Sequence, residues 1–307
     1  MATMFDWKNI LVATDFSAAG EAAVRSAAAI AGQSGGSLTV VHVTEQPPMF
    51  SQPLLDRIGP ADPNELWTRE ARRSIAKLLT ELRGDLGRVR GCVRVGTPSR
   101  EIIGLAEEID ADAIVLGSKG TSRIQRLLLG STAENVVRNA SCPVLVLREK
   151  PLERIRRVLL PVDMDDGSRA TVRYALEHLG EGVEVEAVHV VGFPRHIDPE
   201  LEGVLPDDAE SAVRLRAFLD ELGAERIPAR VVLGEPAAAI LDAAAEADLV
   251  LIATRGLKGI ARALLGSVAE KVVRHSEGPV LVVPPAREGK AQESPVGAAV
   301  LEGEVHP

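Results

Sequence analysis

Short aliphatic runs alternate with stretches whose apolar residues recur at helical spacing, and the alternation runs along the chain twice. In the first half, Ile10–Thr14, Leu38–Val43, Ala113–Leu116 and Val144–Leu147 are apolar runs of strand length, and Val89–Val95 reads as a further strand. Such runs suit strands buried on both faces. Between them lie an Ala-rich segment from Ala18 to about Ala31 with Ser17 placed to cap it, a segment from Trp67 to Leu82, and one continuing through Thr132–Asn139. Thr97-Pro98 opens a further helix, because Pro at the first helical position gives up only an N–H that has no partner there. Gly35-Gly36 ends the first helix. Strand, helix, strand in strict alternation predicts a parallel sheet covered by helices on both faces, a doubly wound, Rossmann-like α/β fold.

The second half repeats the first. Gly117–Arg148 aligns with Ala253–Pro284 without a gap, with 16 identities in 32 positions. ILVATDFS at Ile10 matches VLLPVDMD at Val158, LTVVHV at Leu38 matches VEAVHV at Val185, and VRVGTPSREI at Val93 matches VVLGEPAAAI at Val231. Two copies are too few for a solenoid and predict two equivalent five-stranded domains, residues 1–150 and 151–285. The charged run REKPLER lies between them, and a tail covers 286–307. The last strand of each half is apolar and lies at a sheet edge in this order, and edges invite pairing. The two halves are therefore expected to pair with each other within one chain, with a homodimer of two such chains left open.

Composition narrows the function classes. The 307 residues are 46% hydrophobic but only 3% aromatic, so the cores must be aliphatic. A net charge of -9 argues against a nucleic-acid binder, which needs a surplus of Lys and Arg for phosphate contacts. Cys92 and Cys142 make neither a disulfide framework nor a metal cluster. There is no signal-peptide pattern and no apolar run of membrane-spanning length, so a cytoplasmic protein with no membrane partner is expected.

The candidate chemistry lies in GSKGTSRIQRLLLGSTAE, Gly117 to Glu134, and its echo ATRGLKGIARALLGSVAE, Ala253 to Glu270. In the first half the pattern is Gly117-x2-Gly120-x9-Gly130-Ser131, a loop leaving a strand and entering a helix. Glycine permits positive φ and close backbone approach. Free N–H groups at a helix start can cradle phosphate. Ser131 and Thr132 offer hydroxyls, and Lys119, Arg123 and Arg126 offer charge. No G-x4-GK[ST] loop exists, and no G-x-G-x-x-G follows the first strand.

This glycine spacing, a leading strand ending in TDFS, a second strand ending in HV and a closing CPVLV resemble the universal stress protein family over about residues 5–148 and 154–284. The resemblance implies ATP binding, with Mg²⁺, in a stress-response sensor or regulator. It places Asp15 and Asp163 at the ribose and adenine, and Val43 and Val190 against the base. It places Gly117, Gly120, Gly130 and Ser131 at the phosphates, with Thr132 alongside. In the second half the phosphate positions become Ala253, Gly256, Gly266 and Ser267. Ala253 departs from the pattern. If the position needs positive φ, alanine is strained there; if the backbone is extended, the change is small. The second site is accordingly expected to be the weaker, degenerate copy.

Other readings compete. Asp15 can cap the following helix. His42 and His189 suit packed histidines bonded to backbone, and Glu134–Arg138 and Glu270–Arg274 suit i,i+4 salt bridges. No acid–base pair is assembled clearly enough to assign catalysis. The alternatives are a nucleotide-independent scaffold and a slow nucleotide hydrolase using Asp15 or His42. Two long Pro-containing connections, Thr44–Asn64 and Val191–Pro206, lie where a lid or an interaction surface would be.

Overall fold

The structure, a computed structural model, describes residues 3–45, 63–82, 86, 88–118, 129–192, 208–254 and 265–285. The side chains of 63–67 and 208 are outside that description. The two long connections, most of each glycine loop and the tail therefore lie outside the described residues, with Lys119, Gly120, Arg123, Arg126 and Gly256 among them.

The first half runs β1 (Asn9–Ala13), α1 (Ala18–Ser34), β2 (Ser37–Thr44), α2 (Pro63–Leu82), β3 (Val89–Val95), α3 (Pro98–Glu108), β4 (Ala113–Gly117), α4 (Ser131–Asn139) and β5 (Val144–Leu147). The second runs β6 (Arg157–Pro161), α5 (Asp166–His178), β7 (Glu184–Val191), α6 (Asp208–Glu221), β8 (Ala229–Leu233), α7 (Pro236–Ala244), β9 (Leu249–Ala253), α8 (Ser267–His275) and β10 (Val280–Val283). Helix α1 stops where the sequence places the stop. Gly35 takes the left-handed conformation at φ 64° and its N–H bonds to the Ala31 carbonyl.

All ten strands share one sheet in the order β3-β2-β1-β4-β5-β10-β9-β6-β7-β8. Every pairing is parallel except β5 with β10, which run antiparallel with Leu145 opposite Leu281. Within each half the order reverses direction once, between β1 and β4 and between β6 and β9. Alternate residues of each strand feed two cores. Ile10 and Val12 face the layer that holds α1, α2, α5 and α6, and Leu11 faces the layer of α3, α4, α7 and α8.

Two segments cross between the halves on the first of these faces. Phe5 and Trp7, just before β1, stack at 4.0 Å and are buried. Trp7 Nε1 donates to the Tyr174 hydroxyl on α5 at 2.6 Å, and Asp6 lies 2.9 Å from His178 Nδ1. The matching segment before β6 returns the contact, since Leu152 N donates to Ser26 Oγ on α1 at 2.7 Å. Burial raises the pKa of the Tyr174 hydroxyl and keeps it neutral. On the opposite face, Glu134, Arg138, Glu270 and Arg274 form a ring across α4 and α8. The pairs within each helix are at 2.9 Å, and the pairs between helices at 3.7 and 3.9 Å. Arg148 donates to the carbonyls of Val273, Arg274 and Ser276 at the end of α8.

Candidate functional site

The carboxyl ends of β1 and β4 flank the point where strand order reverses, the place where open α/β sheets form a ligand crevice. Ala13 is in register with Leu116. Asp15 and Ser118 each follow that pair by two residues, so they leave adjacent strands on the same edge of the sheet. Ala13 is also in register with Val41, which brings Val43 to the same end. In the second half β6 and β9 pair in the same way, with Val158 opposite Leu249. A cleft of about 980 Å³ lined by Ser37, Thr39, Arg88, Arg90 and Glu108 opens at the opposite, amino end of β2 and β3. It lies away from the strand ends that carry ligands in this architecture.

The turn after β1 is strained in a way that recurs. Phe16 has φ 60° and Met164, its counterpart, φ 63°. A left-handed bulky residue costs about 1–3 kcal/mol, and such strain collects at functional turns. Phe16 is held there by its ring against His42, with centroids 4.7 Å apart, and by its N–H to Thr14 Oγ1 at 3.0 Å. His42 Nδ1 lies 2.8 Å from the Thr14 carbonyl, and His189 Nδ1 lies 2.7 Å from the Val162 carbonyl. A carbonyl only accepts, so Nδ1 carries the proton in both rings.

Asp15 does not cap α1. Ser17 is the N-cap, its Oγ accepting from Gly20 N at 3.2 Å, while the same Oγ donates to Asp15 Oδ1 at 2.5 Å. The second half reaches the same result from other positions. Asp165 caps α5 by accepting from Ser168 N at 2.8 Å, and Ser168 Oγ donates to Asp163 Oδ1 at 2.5 Å. Burial, and next the neighbouring Asp163, push the Asp165 carboxyl up to about 6.

The glycine loops close in the same way. Gly130 N donates to the Ser118 carbonyl at 2.7 Å, and Gly266 N to the Thr254 carbonyl at 2.7 Å. Each glycine then serves as the N-cap of the next helix with φ near −65° and no side-chain cap, so the first turns of α4 and α8 hold N–H groups facing out of the helix end. Ser131 is exposed, and Thr132 half-buried.

The positive φ expected of these glycines is absent at the two described positions. Neither Gly117 nor Gly130 has positive φ; both lie in conformations open to other residues. What Gly117 meets is the start of α1. A Cβ there would stand 2.7 Å from the Ala19 carbonyl carbon and 2.9 Å from its Cβ. The close approach is real, but its partner is the neighbouring helix. Ala253 likewise ends β9 without a left-handed φ, so it carries no backbone strain.

Of the predicted residues, Asp15, Val43, Gly117, Gly130, Ser131 and Thr132 stand on the loops, strand ends and helix start at the carboxyl ends of β1, β2 and β4. Asp163, Val190, Gly266 and Ser267 stand on the equivalent elements of the second half. Gly120 and Gly256 lie outside the described residues. Sequence reasoning passed over Phe16, Met164, Ser168 and the Ser118 and Thr254 carbonyls. Only the recurrence of a residue slot after each Asp hinted at the first two, since φ is not written in side-chain type.

The chain matches the universal stress protein family over residues 6–148 and 154–284. A universal stress protein of Mycolicibacterium smegmatis is 31% identical over 292 residues, covering 90% of this chain and 97% of that one. One from Mycobacterium tuberculosis is 29% identical over 294 residues, covering 89% and 96%. The crystal structure of a universal stress protein from Archaeoglobus fulgidus superposes with a TM-score of 0.67 at 20% identity, covering 93% of this chain and all of that one. No helix among the described residues is long and apolar enough to cross a membrane. With both halves matched from their first strand to their last, the chain belongs to the universal stress protein family.

Proposed function

We propose that this chain binds ATP, with Mg²⁺ as the phosphate counterion, in the crevice between β1 and β4, and that binding signals to partners in a stress response. The observation that carries the reading is the convergence at the strand-order reversal. A carboxylate oriented by a serine hydroxyl follows β1, and a helix with no side-chain cap follows β4. Asp15 suits the hydroxyls of a ribose, which a carboxylate accepts from. Val43 and the half-buried wall beside it suit the flat apolar face of adenine. The N–H groups of the first turn of α4, with Ser131 and Thr132, suit phosphate oxygens through hydrogen bonds and the helix dipole. Nucleotide binding would change the surface that partners meet at this edge of the sheet. In this reading the pairing of the two halves through β5 and β10 makes one functional unit, and a homodimer is a further level.

Calorimetric titration of nucleotide-stripped protein with Mg-ATP tests the reading. A saturable heat is expected, with about 2.7 kcal/mol of added stability at a hundredfold excess over Kd. Asp15→Ala should weaken binding by roughly tenfold, the loss of a charge-assisted contact. No heat and no stabilisation at millimolar ATP would leave the scaffold reading in its place.

A further inference from the structure

We infer that the cleft at the amino ends of β2 and β3 is a separate ligand site, built on Arg88 and Arg90 to take the phosphate group of a small organic phosphate.

The sheet face that carries α3 changes character toward its amino end. Leu11, Val41 and Cys92 pack into the core beneath α3 and α4. Two residues earlier along β2 and β3, Thr39 lies in register with Arg90 on that same face, and Asn9 lies in register with Ser37. Arg88 stands just before β3, its carbonyl accepting from Leu38 N at 2.9 Å. Helix α3 ends at Glu108, so these residues line an open cleft of about 980 Å³ in place of a covered core. Small-ligand sites have volumes of this order.

The donors in the cleft are unengaged. Ser37 Oγ donates to Asn9 Oδ1 at 2.8 Å, which leaves the Asn9 amide nitrogen as a donor. Among the described residues, the Arg88 and Arg90 guanidiniums, the Thr39 hydroxyl and that amide nitrogen have no hydrogen-bond or ion-pair partner. The carboxylate that lines the cleft, Glu108, is held by Arg94 through two hydrogen bonds, and Asp112 nearby accepts from Lys8 N and Asn9 N. The carbonyl end of α3 adds only a partial negative charge. The same place in the second half is closed by its own charges. Glu184 and Glu186 stand where Ser37 and Thr39 stand, and Glu186 Oε1 pairs with Arg230 Nε at 2.9 Å. In the first half these strand positions carry hydroxyls, and no described residue supplies the anion for Arg88 and Arg90.

A phosphate suits this donor set better than a carboxylate. One guanidinium fork satisfies both oxygens of a carboxylate, whereas a phosphate has oxygens for two forks and for the hydroxyl and amide besides. Val89 and Ile109, both half-buried, give an apolar wall for the body of the ligand.

The inference does not rest on the nucleotide reading, which concerns the opposite end of the sheet. The probe is inorganic phosphate, titrated into the full chain and followed by the arginine side-chain and backbone amide signals in NMR. Saturable shifts are expected at Thr39, Arg88 and Arg90, at concentrations where chloride gives none. Arg88→Gln and Arg90→Gln should each weaken binding by roughly tenfold, the loss of a charge-assisted contact, with Tm unchanged. Thr39→Glu, which installs the second half's residue, should abolish it. Phenyl phosphate, which adds a flat apolar body, should bind more tightly than phosphate. Shifts confined to the first turn of α4, no shifts, or equal shifts with chloride would overturn the site. Binding that survives in the Arg88→Gln, Arg90→Gln double variant would do the same. Equal affinity for phosphate and phenyl phosphate would overturn the organic ligand.

Discussion

In the first half, a serine at the helix N-cap both starts α1 and holds Asp15; in the second, an aspartate starts α5 and a serine one turn later holds Asp163. The residue types at these positions differ, while the oxygen that is engaged and the left-handed residue that follows the Asp are the same. The difference teaches that identity at a single position is a poor guide to whether a local geometry is kept.

The segments that cross between the halves are unequal, and that comparison breaks most easily. Trp7 stacks on Phe5 and bonds to Tyr174, whereas its counterpart Ile155 contributes packing alone. Trp7→Ala should destabilise the chain by about 3–5 kcal/mol, against roughly 2–5 for Ile155→Ala, with urea unfolding as the measurement. Because the Trp7 contact spans the halves, its loss should also separate the transitions of the two halves. Equal costs with a single transition for both variants would mean the aromatic clasp adds nothing beyond bulk.

The carboxyl of Asp165 sharpens the contrast by pH. Its folded pKa, about 6, lies above the unfolded value of about 3.9, so the folded state holds the proton more tightly. That stabilises the fold fully below about pH 4 and is lost as pH rises through 6. The carboxyl is only partly buried, and solvent screening limits the effect to the order of 1 kcal/mol. Asp165→Ser, which installs the first half's cap residue, should keep the helix start and flatten the dependence between pH 4 and 7 in thermal melts. An unchanged slope would place the titrating group elsewhere.

The smallest effect is expected in the ring of Glu134, Arg138, Glu270 and Arg274. These side chains are partly exposed, and the pairs between helices are longer than those within. Glu134→Gln and Glu270→Gln should cost about 0–1 kcal/mol each, alike in the two halves, and less at 1 M salt. A larger cost for either would show that the ring is not symmetric in energy.

Much of this was legible in the sequence. An aliphatic run gave Val144–Leu147 with the observed bounds, because a strand buried on both faces has no place for polar residues; Val89–Val95 also has the expected bounds, although it is an edge strand that carries Arg90 and Arg94 and buries no residue fully. Asp15, Gly130 and Ser131 stand out in the sequence as candidates because loop chemistry is local. The Glu134–Arg138 pair follows from helical spacing; its reach to Glu270 does not. Trp7 gave no sign that its partner would be Tyr174, 167 residues away.

By itself the amino-acid sequence determined the repeat, the alternation of strands and helices, the aliphatic cores and the residues that end each strand. These depend on periodicity and on contacts close along the chain. Only the tertiary structure decided that Gly117 packs on the first turn of α1, which serine reaches which aspartate, and how α1 and α5 receive segments from the opposite half. Those choices are set by close packing between elements distant in sequence, where one methyl either fits or collides, and no local pattern records the shape of the other side.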